Sequence, residues 1–148
     1  YGDMAFNDVV IHKSDVSRII EFETYIDRHF VFSQRSDGLI VSTPTGSTAY
    51  LMSSGAPLVT PGVSCIIANP LNEYRFSSRS IILPGEAELS VNILHCREND
   101  LMMIIDGDQP LMVKEGDEII IRRSQVPTLL VAFEPQYFFR NLKQRLNW

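Results

Sequence analysis

The chain has no apolar run approaching the roughly 20 residues needed to cross a bilayer as a helix. It has no visible secretory leader. Its eight glycines are never adjacent, and no P-loop or Gly-x-Ser-x-Gly elbow is present. Histidine is scarce, and His12, His29 and His95 lack the Cys/His spacing of a zinc site. Positive charge is also short: 13 Lys and Arg against 18 Asp and Glu give a formal net charge of −5. That balance argues against a bulk electrostatic hold on nucleic acid or an anionic membrane. Only two cysteines occur, Cys65 and Cys96, both in apolar, strand-like surroundings. A disulfide between them stays open, but the expectation is reduced core thiols in a cytoplasmic protein.

What remains suits one globular domain. The 148 residues are 45% apolar and 21% charged, enough for a real core. The chain opens on Tyr1 and runs almost at once into the strand-like "DVVIHK", which reads as a piece of a longer protein. Short apolar runs follow at regular intervals, among them "RIIEFETYI", "HFVFSQ", "GLIVST", "VSCIIAN", "RSIILP", "AELSVNIL", "LMMII", "QPLMVK", "DEIIIRR" and "TLLVAFE". Turn signals divide them at Asp37-Gly38, Pro61-Gly62, Pro84-Gly85, Asp106-Gly107 and Gly116-Asp117. In the second run Ile20, Phe22, Thr24 and Ile26 share one face and Glu21 and Glu23 the other, as in a half-buried strand. "LMMIIDGDQPLMV" reads as a hairpin. The expected fold is therefore all-β, an antiparallel sandwich-like domain over residues 1–136. One short helix is expected from about Ser47 to Gly55. A helical tail is expected over 137–148, where Phe138, Leu142 and Leu146 fall at i, i+4 and i+8 among basic residues.

The stretch "GLIVSTPTGSTAY", residues 38–50, crowds hydroxyls, a proline and a glycine into one strand-to-helix junction. Pro44 helps end the strand, and Gly46 permits a sharp turn or a close approach. Ser47 or Thr48 is positioned to cap the helix, whose first N–H groups suit a polar or anionic ligand. On local physics alone an ordinary capped helix explains the junction. By the same standard Asn7-Asp8 is an Asx turn, Asp37-Gly38 a turn, and Asp106, Gly107 and Asp108 a hairpin tip whose spacing fits no standard calcium loop.

In combination these pieces say more. "DGLIVSTPTGSTAY" resembles the signature of NAD kinases, enzymes that phosphorylate the adenosine-ribose 2′-hydroxyl of NAD to give NADP. "AFNDVVIH" is similar to that family's Asn-Glu/Asp motif, "IEFETYID" and "FSQRSDG" to the connection between the two motifs, and "YFFRNLKQRLNW" to its C-terminal segment. The resemblance covers the C-terminal half of such an enzyme, an all-β domain. It implies that Asn7 and Asp8 hydrogen-bond NAD hydroxyls and that Asp37 contacts the nicotinamide end, with Arg35 nearby. It further implies that Thr48, Ala49, Tyr50, Leu51, Met52 and Ser53 line the dinucleotide pocket through backbone groups, hydroxyls and the Tyr50 ring. Asp106 and Asp108 fall where the family has its Asp-Gly-Gln-like loop, Asp108 replacing the amide. Arg18 falls where a basic residue reaches a ligand across a subunit contact.

The implied substrates are NAD and ATP or polyphosphate, with Mg²⁺ or another divalent cation accompanying ATP. The implied partners are an N-terminal α/β domain and further copies in a homodimer or homotetramer, with neither nucleic acid nor membrane. Two departures stand out. The family's Gly-Gly-Asp-Gly motif, which carries its catalytic aspartate, is absent, so this chain alone is expected to be inactive. "NPLNEY" replaces the pattern Thr-Pro-Ile-x-Pro-His, altering the pocket wall at Asn72 and Tyr74. A non-catalytic dinucleotide-binding or oligomerisation module is the alternative. A related lipid kinase fits "TPTGSTAY" less well.

Overall fold

The computed structural model describes residues 2–14, 19–72, 79–96, 100–131 and 137–147. Arg18 and Tyr74 lie outside the described residues. The expected all-β architecture is observed as two antiparallel sheets packed face to face.

Six strands form the larger sheet: β1 (Asp8–Lys13), β4 (Gly38–Ser42), β5 (Cys65–Leu71), β6 (Ile81–Pro84), β8 (Leu101–Ile105) and β9 (Leu111–Val113). Their spatial order is β6-β5-β4-β1-β8-β9. The smaller sheet has the order β10-β7-β2-β3, from β2 (Ile20–Ile26), β3 (His29–Ser36), β7 (Leu89–His95) and β10 (Glu118–Ile121).

Sequence pattern explains which face each strand buries. In β2 the alternation IEFETYI sends Ile20, Phe22 and Thr24 inward and leaves Glu21 and Glu23 on the outer face. The central strands of the larger sheet do not alternate, because both of their faces are covered. Ile11, Leu39, Val41, Ile66 and Ala68 enter the core between the sheets with Phe22, Leu89 and Val91. Val10, Ile40, Cys65 and Ile67 point the other way, into a second apolar cluster closed by Leu51, Ala56 and Val59. Burying Phe22 or Leu39 completely stabilises the fold by roughly 1.5–3 kcal/mol each.

The junction after β4 departs from the expected single helix. A 3₁₀ turn over Thr45–Thr48 is followed, after a break at Ala49, by the one-turn helix α1 (Tyr50–Ser53). Neither carries a side-chain cap. The turn at Asp37-Gly38 is the corner where the chain passes from the smaller sheet to the larger. One further reading is corrected. Residues 128–131 of "TLLVAFE" form no strand and pair with none among the described residues, and Leu129, Leu130 and Val131 are exposed. The tail helix is observed as α2 (Tyr137–Leu146), with Leu142 its buried residue. No helix among the described residues is long and apolar enough to cross a membrane.

Candidate functional site

Register places the polar residues singled out above at two ends of one strand pair. β1 and β4 run antiparallel with Asp8 opposite Ser42 at one end and His12 opposite Gly38 at the other. At about 3.3 Å per residue, the Asp8 end and the Asp37 end lie roughly 17 Å apart.

At the first end the chain before β1 is clamped by the tip of the β8–β9 hairpin. Ile105 and Asp108 close the expected turn, the Asp108 N–H donating to Ile105 O at 2.9 Å. Asp106 and Gly107 both have positive φ, 49° and 79°, as a type I′ turn requires. The Asp106 carboxylate accepts three backbone N–H groups, from Phe6 at 2.6 Å, Asn7 at 2.7 Å and Asp8 at 3.0 Å. Its oxygens therefore set the path of residues 6–8. Asp108 is exposed beside it.

The hydroxyl-rich junction packs on the same segment. Thr43 N–H donates to Asn7 O at 2.9 Å, and Thr43 Oγ1 donates to Phe6 O at 2.8 Å while accepting the Gly46 N–H at 3.1 Å. The Ser42 hydroxyl sits between Asn7 O at 3.1 Å and Thr43 O at 3.0 Å. Ser47 Oγ donates to Pro44 O at 2.7 Å and accepts the Val59 N–H at 2.9 Å. Thr48 Oγ1 donates to Thr45 O at 3.1 Å. A Cβ on Gly46 would collide with Asn7 O, so only glycine lets the turn approach this closely. The surplus hydroxyls thus serve backbone groups inside the turn and build its shape.

Among these groups Asp8 is the exception. Asp8 is largely enclosed, with 5% of the residue exposed, and no donor among the described residues meets its carboxylate, whose oxygens stay open to solvent. Burial pushes its carboxyl above the usual range, and the neighbouring Asp106 charge pushes it further. An ionised Asp8 has acceptor capacity for hydroxyl donors that the protein itself does not supply.

At the second end the Asp37 backbone joins three strands. Lys13 N–H donates to Asp37 O at 3.1 Å and Asp37 N–H to Leu71 O at 2.9 Å. Gly38 is needed because a Cβ would collide with Ile11 O on β1. The Asp37 carboxylate forms an ion pair with Lys13 Nζ through one oxygen, and the other accepts from Asn72 Nδ2 at 3.1 Å. Partial burial works to raise its carboxyl, but the bonds from Lys13 and Asn72, with the Lys13 and His12 charges, outweigh it and hold it below the usual value. Lys13 escaped the sequence reading, and Asn72 was read only as part of an altered pocket wall, because 24 and 35 residues separate them from Asp37 along the chain; only register unites the three.

Between the two ends, α1 lies over the outer face of the larger sheet. Tyr50 and Ser53 are exposed, Ala49 and Met52 half-buried. The Leu51 side chain is fully buried in the outer cluster, so it anchors the helix, and only its backbone remains for a ligand. Asn69 on β5 ties the end of α1 to the sheet, donating to Ser54 Oγ at 2.9 Å and accepting from Ser80 Oγ at 2.6 Å. Arg35 is exposed on β3, opposite Glu21 of the smaller sheet. No three metal-ligating side chains converge among the described residues, and the Asp106 oxygens already serve backbone donors. The described residues do not fit a protein-held divalent cation.

Residues 6–133 match the family model of the ATP-NAD kinase C-terminal domain. The chain is 41% identical over 147 residues to an NAD kinase of Colwellia psychrerythraea, covering 99% of this chain and 50% of that protein. It is 40% identical over 144 residues to an NAD kinase of Enterobacter sp., covering 97% and 49%. The chain therefore spans about half the length of the curated relatives it matches. Among solved structures it is similar to yeast NADH kinase complexed with NADH, with a TM-score of 0.87, 26% identity and coverage of 97% of this chain and 44% of that one. It is also similar to an NAD kinase from Archaeoglobus fulgidus in complex with ATP, with a TM-score of 0.82, 29% identity and coverage of 97% and 54%.

Proposed function

The chain belongs to the NAD kinase family, whose C-terminal domain it carries, and we propose that it is the dinucleotide-binding half of an enzyme that transfers the ATP γ-phosphate to the adenosine-ribose 2′-hydroxyl of NAD. The observation that carries this reading is the Asp8 carboxylate, enclosed yet open to solvent and without a donor among the described residues, held in place by the Asp106 clamp and the Thr43–Gly46 turn. A ribose offers the hydroxyl donors that Asp8 lacks. Asn7 beside it supplies an amide, and Thr48, Ala49, Tyr50, Met52 and Ser53, with the Leu51 backbone, form the wall between Asp8 and Asp37. Asp37 accepts from the nicotinamide amide, with Arg35 nearby. Asp106 acts by positioning Asn7 and Asp8, and exposed Asp108 lies at the rim. Arg18 is assigned a ligand contact across a subunit boundary, supported by the family resemblance alone.

Phosphoryl transfer depends on positioning and on charge neutralisation. The chain's part is to fix the dinucleotide so that one ribose hydroxyl faces the phosphoryl donor. A divalent cation would enter bound to ATP, as part of the substrate. The hydroxyl must also be activated, and that group lies outside this chain's motifs. Residues 1–136 form the binding domain. The tail 137–148, with the exposed apolar residues Leu129–Val131 before it, docks on an N-terminal α/β domain. β3, an eight-residue edge strand with Phe30 and Val31 exposed, suits a contact between copies in a homodimer or homotetramer. The free thiols Cys65 and Cys96 suit the cytoplasm.

Calorimetric titration of the chain with NAD tests the reading. Saturable binding is expected, weakened about tenfold or more by Asp8→Asn. Affinity unchanged by that substitution would remove Asp8 from the site. A non-catalytic dinucleotide-binding module is the second reading, favoured by the absence of paired glycines. NADP formation by the full-length protein separates the two.

A further inference from the structure

We infer that Lys13 and Asn72 form a two-point brace that holds the Asp37 carboxylate in position for the amide end of the dinucleotide. The inference rests on the reading that Asp37 faces that end. Lys13 and Asn72 are positioning residues, acting through Asp37.

The brace is more than the strands require. The backbone of Asp37 is already tied to β1 through Lys13 N–H and to β5 through Leu71 O. Side-chain bonds added to these do not connect any further strand. What they fix is the carboxylate, one oxygen by the Lys13 ammonium and the other by the Asn72 amide. The Lys13 side chain is 10% exposed and that of Asp37 22%, so the ammonium is the more enclosed partner and the carboxylate keeps an open side. Enclosing a lysine costs side-chain entropy and hydration, which its bond to the Asp37 carboxylate has to offset. Asn72 sits just past β5 at φ +46°, a left-handed conformation that asparagine adopts readily, and from there its amide reaches Asp37. An ionised carboxylate has about four acceptor positions, so one bond to each oxygen leaves capacity for an amide N–H of a ligand. An amide donor in the ligand then meets an acceptor already oriented, at a smaller ordering cost.

The test is calorimetry on the full-length protein with two probes, NAD and ADP-ribose, which lacks the nicotinamide ring. Lys13→Met and Asn72→Ala are each expected to weaken NAD by roughly tenfold while ADP-ribose stays within about twofold. Lys13→Arg, which keeps the ion pair, should restore most of the NAD affinity. In an Asp37→Asn background, Lys13→Met should change NAD affinity by less than about twofold, since both act through one group. Equal losses for both probes, or an unchanged NAD affinity, would make the brace purely structural and overturn the inference while leaving the binding function intact. Wild-type protein that binds neither probe would remove the proposed function and this inference together.

Discussion

Asp8 and Asp37 are the same residue type at opposite ends of one strand pair, and their surroundings drive them in opposite directions. Asp37 is braced: one oxygen meets Lys13, the other Asn72, each keeps acceptor capacity, and the carboxyl sits below the usual value. Asp8 is enclosed beside a second carboxylate with no donor among the described residues, and its carboxyl is raised. A folded chain stabilises a charge such as that of Asp37 and opposes one such as that of Asp8, so the second persists at a cost to stability. Under the proposed function, the contrast makes Asp8 the group set aside for a donor from outside and Asp37 a group oriented in advance.

Substitutions that disturb the scaffold under either carboxylate should have the largest effects. Gly38→Ala would drive a Cβ into Ile11 O at the Asp37 end, a collision with backbone that cannot swing away. A loss of about 3 kcal/mol in urea unfolding is expected; a loss under about 1 kcal/mol would mean that β1 and β4 separate easily. At the other end, Asp106→Asn exchanges a charged acceptor of three N–H groups for a neutral one with a single acceptor oxygen. A loss of about 1–2 kcal/mol is expected, moderated because the site is exposed.

Smaller effects sharpen the contrast itself. An acid whose folded pKa is raised opposes folding while ionised, fully so above its folded pKa, and the penalty fades as pH falls through that pKa. Asp8→Asn should therefore raise Tm at neutral pH, by about 2–4 °C, while weakening NAD. The gap from wild type should close on acidification. The sign reverses for Asp37, whose stabilising contribution is present above the usual carboxylate range and is lost as pH falls through its depressed value. Thr24 is the sealed counterpart of Asp8. Its Oγ1 is buried between the sheets with no hydrogen-bond partner among the described residues, and no proposed ligand surface includes it. Thr24→Val should gain about 0.5–1 kcal/mol and leave NAD affinity unchanged, as thermal unfolding and calorimetry would report.

The strands were legible in the sequence wherever one face met water, as in the alternation of β2, or where turn chemistry was explicit, as at Asp106-Gly107. The β2–β3 turn was not, because Asp27 and Arg28 adopt positive φ without a glycine. A distant contact, the Glu88 N–H donating to Asp27 Oδ1 at 2.9 Å, helps hold it. Residues 128–131 misled because an apolar run signals burial without saying against what. At the candidate site, motif spacing singled out Asn7, Asp8, Asp37 and Thr48–Ser53, and the fold sets them along one strand pair and the helix over it. Motif spacing did not show that the Ser42, Thr43, Ser47 and Thr48 hydroxyls bond backbone groups within hydrogen-bond range. The withdrawal of Leu51 and the gathering of Lys13 and Asn72 around Asp37 follow from register and packing, which no local pattern encodes.

The most direct measurement is carboxyl-carbon NMR titration of Asp8 and Asp37, first without and then with NAD. In the free protein Asp8 should titrate above the ordinary carboxylate range and Asp37 below it. NAD should draw Asp8 downward, because donated hydroxyl hydrogen bonds favour its charged form. An Asp8 that titrates at the ordinary value, or whose midpoint NAD leaves unmoved at saturation, would contradict the claim that this carboxylate is set aside for the ligand.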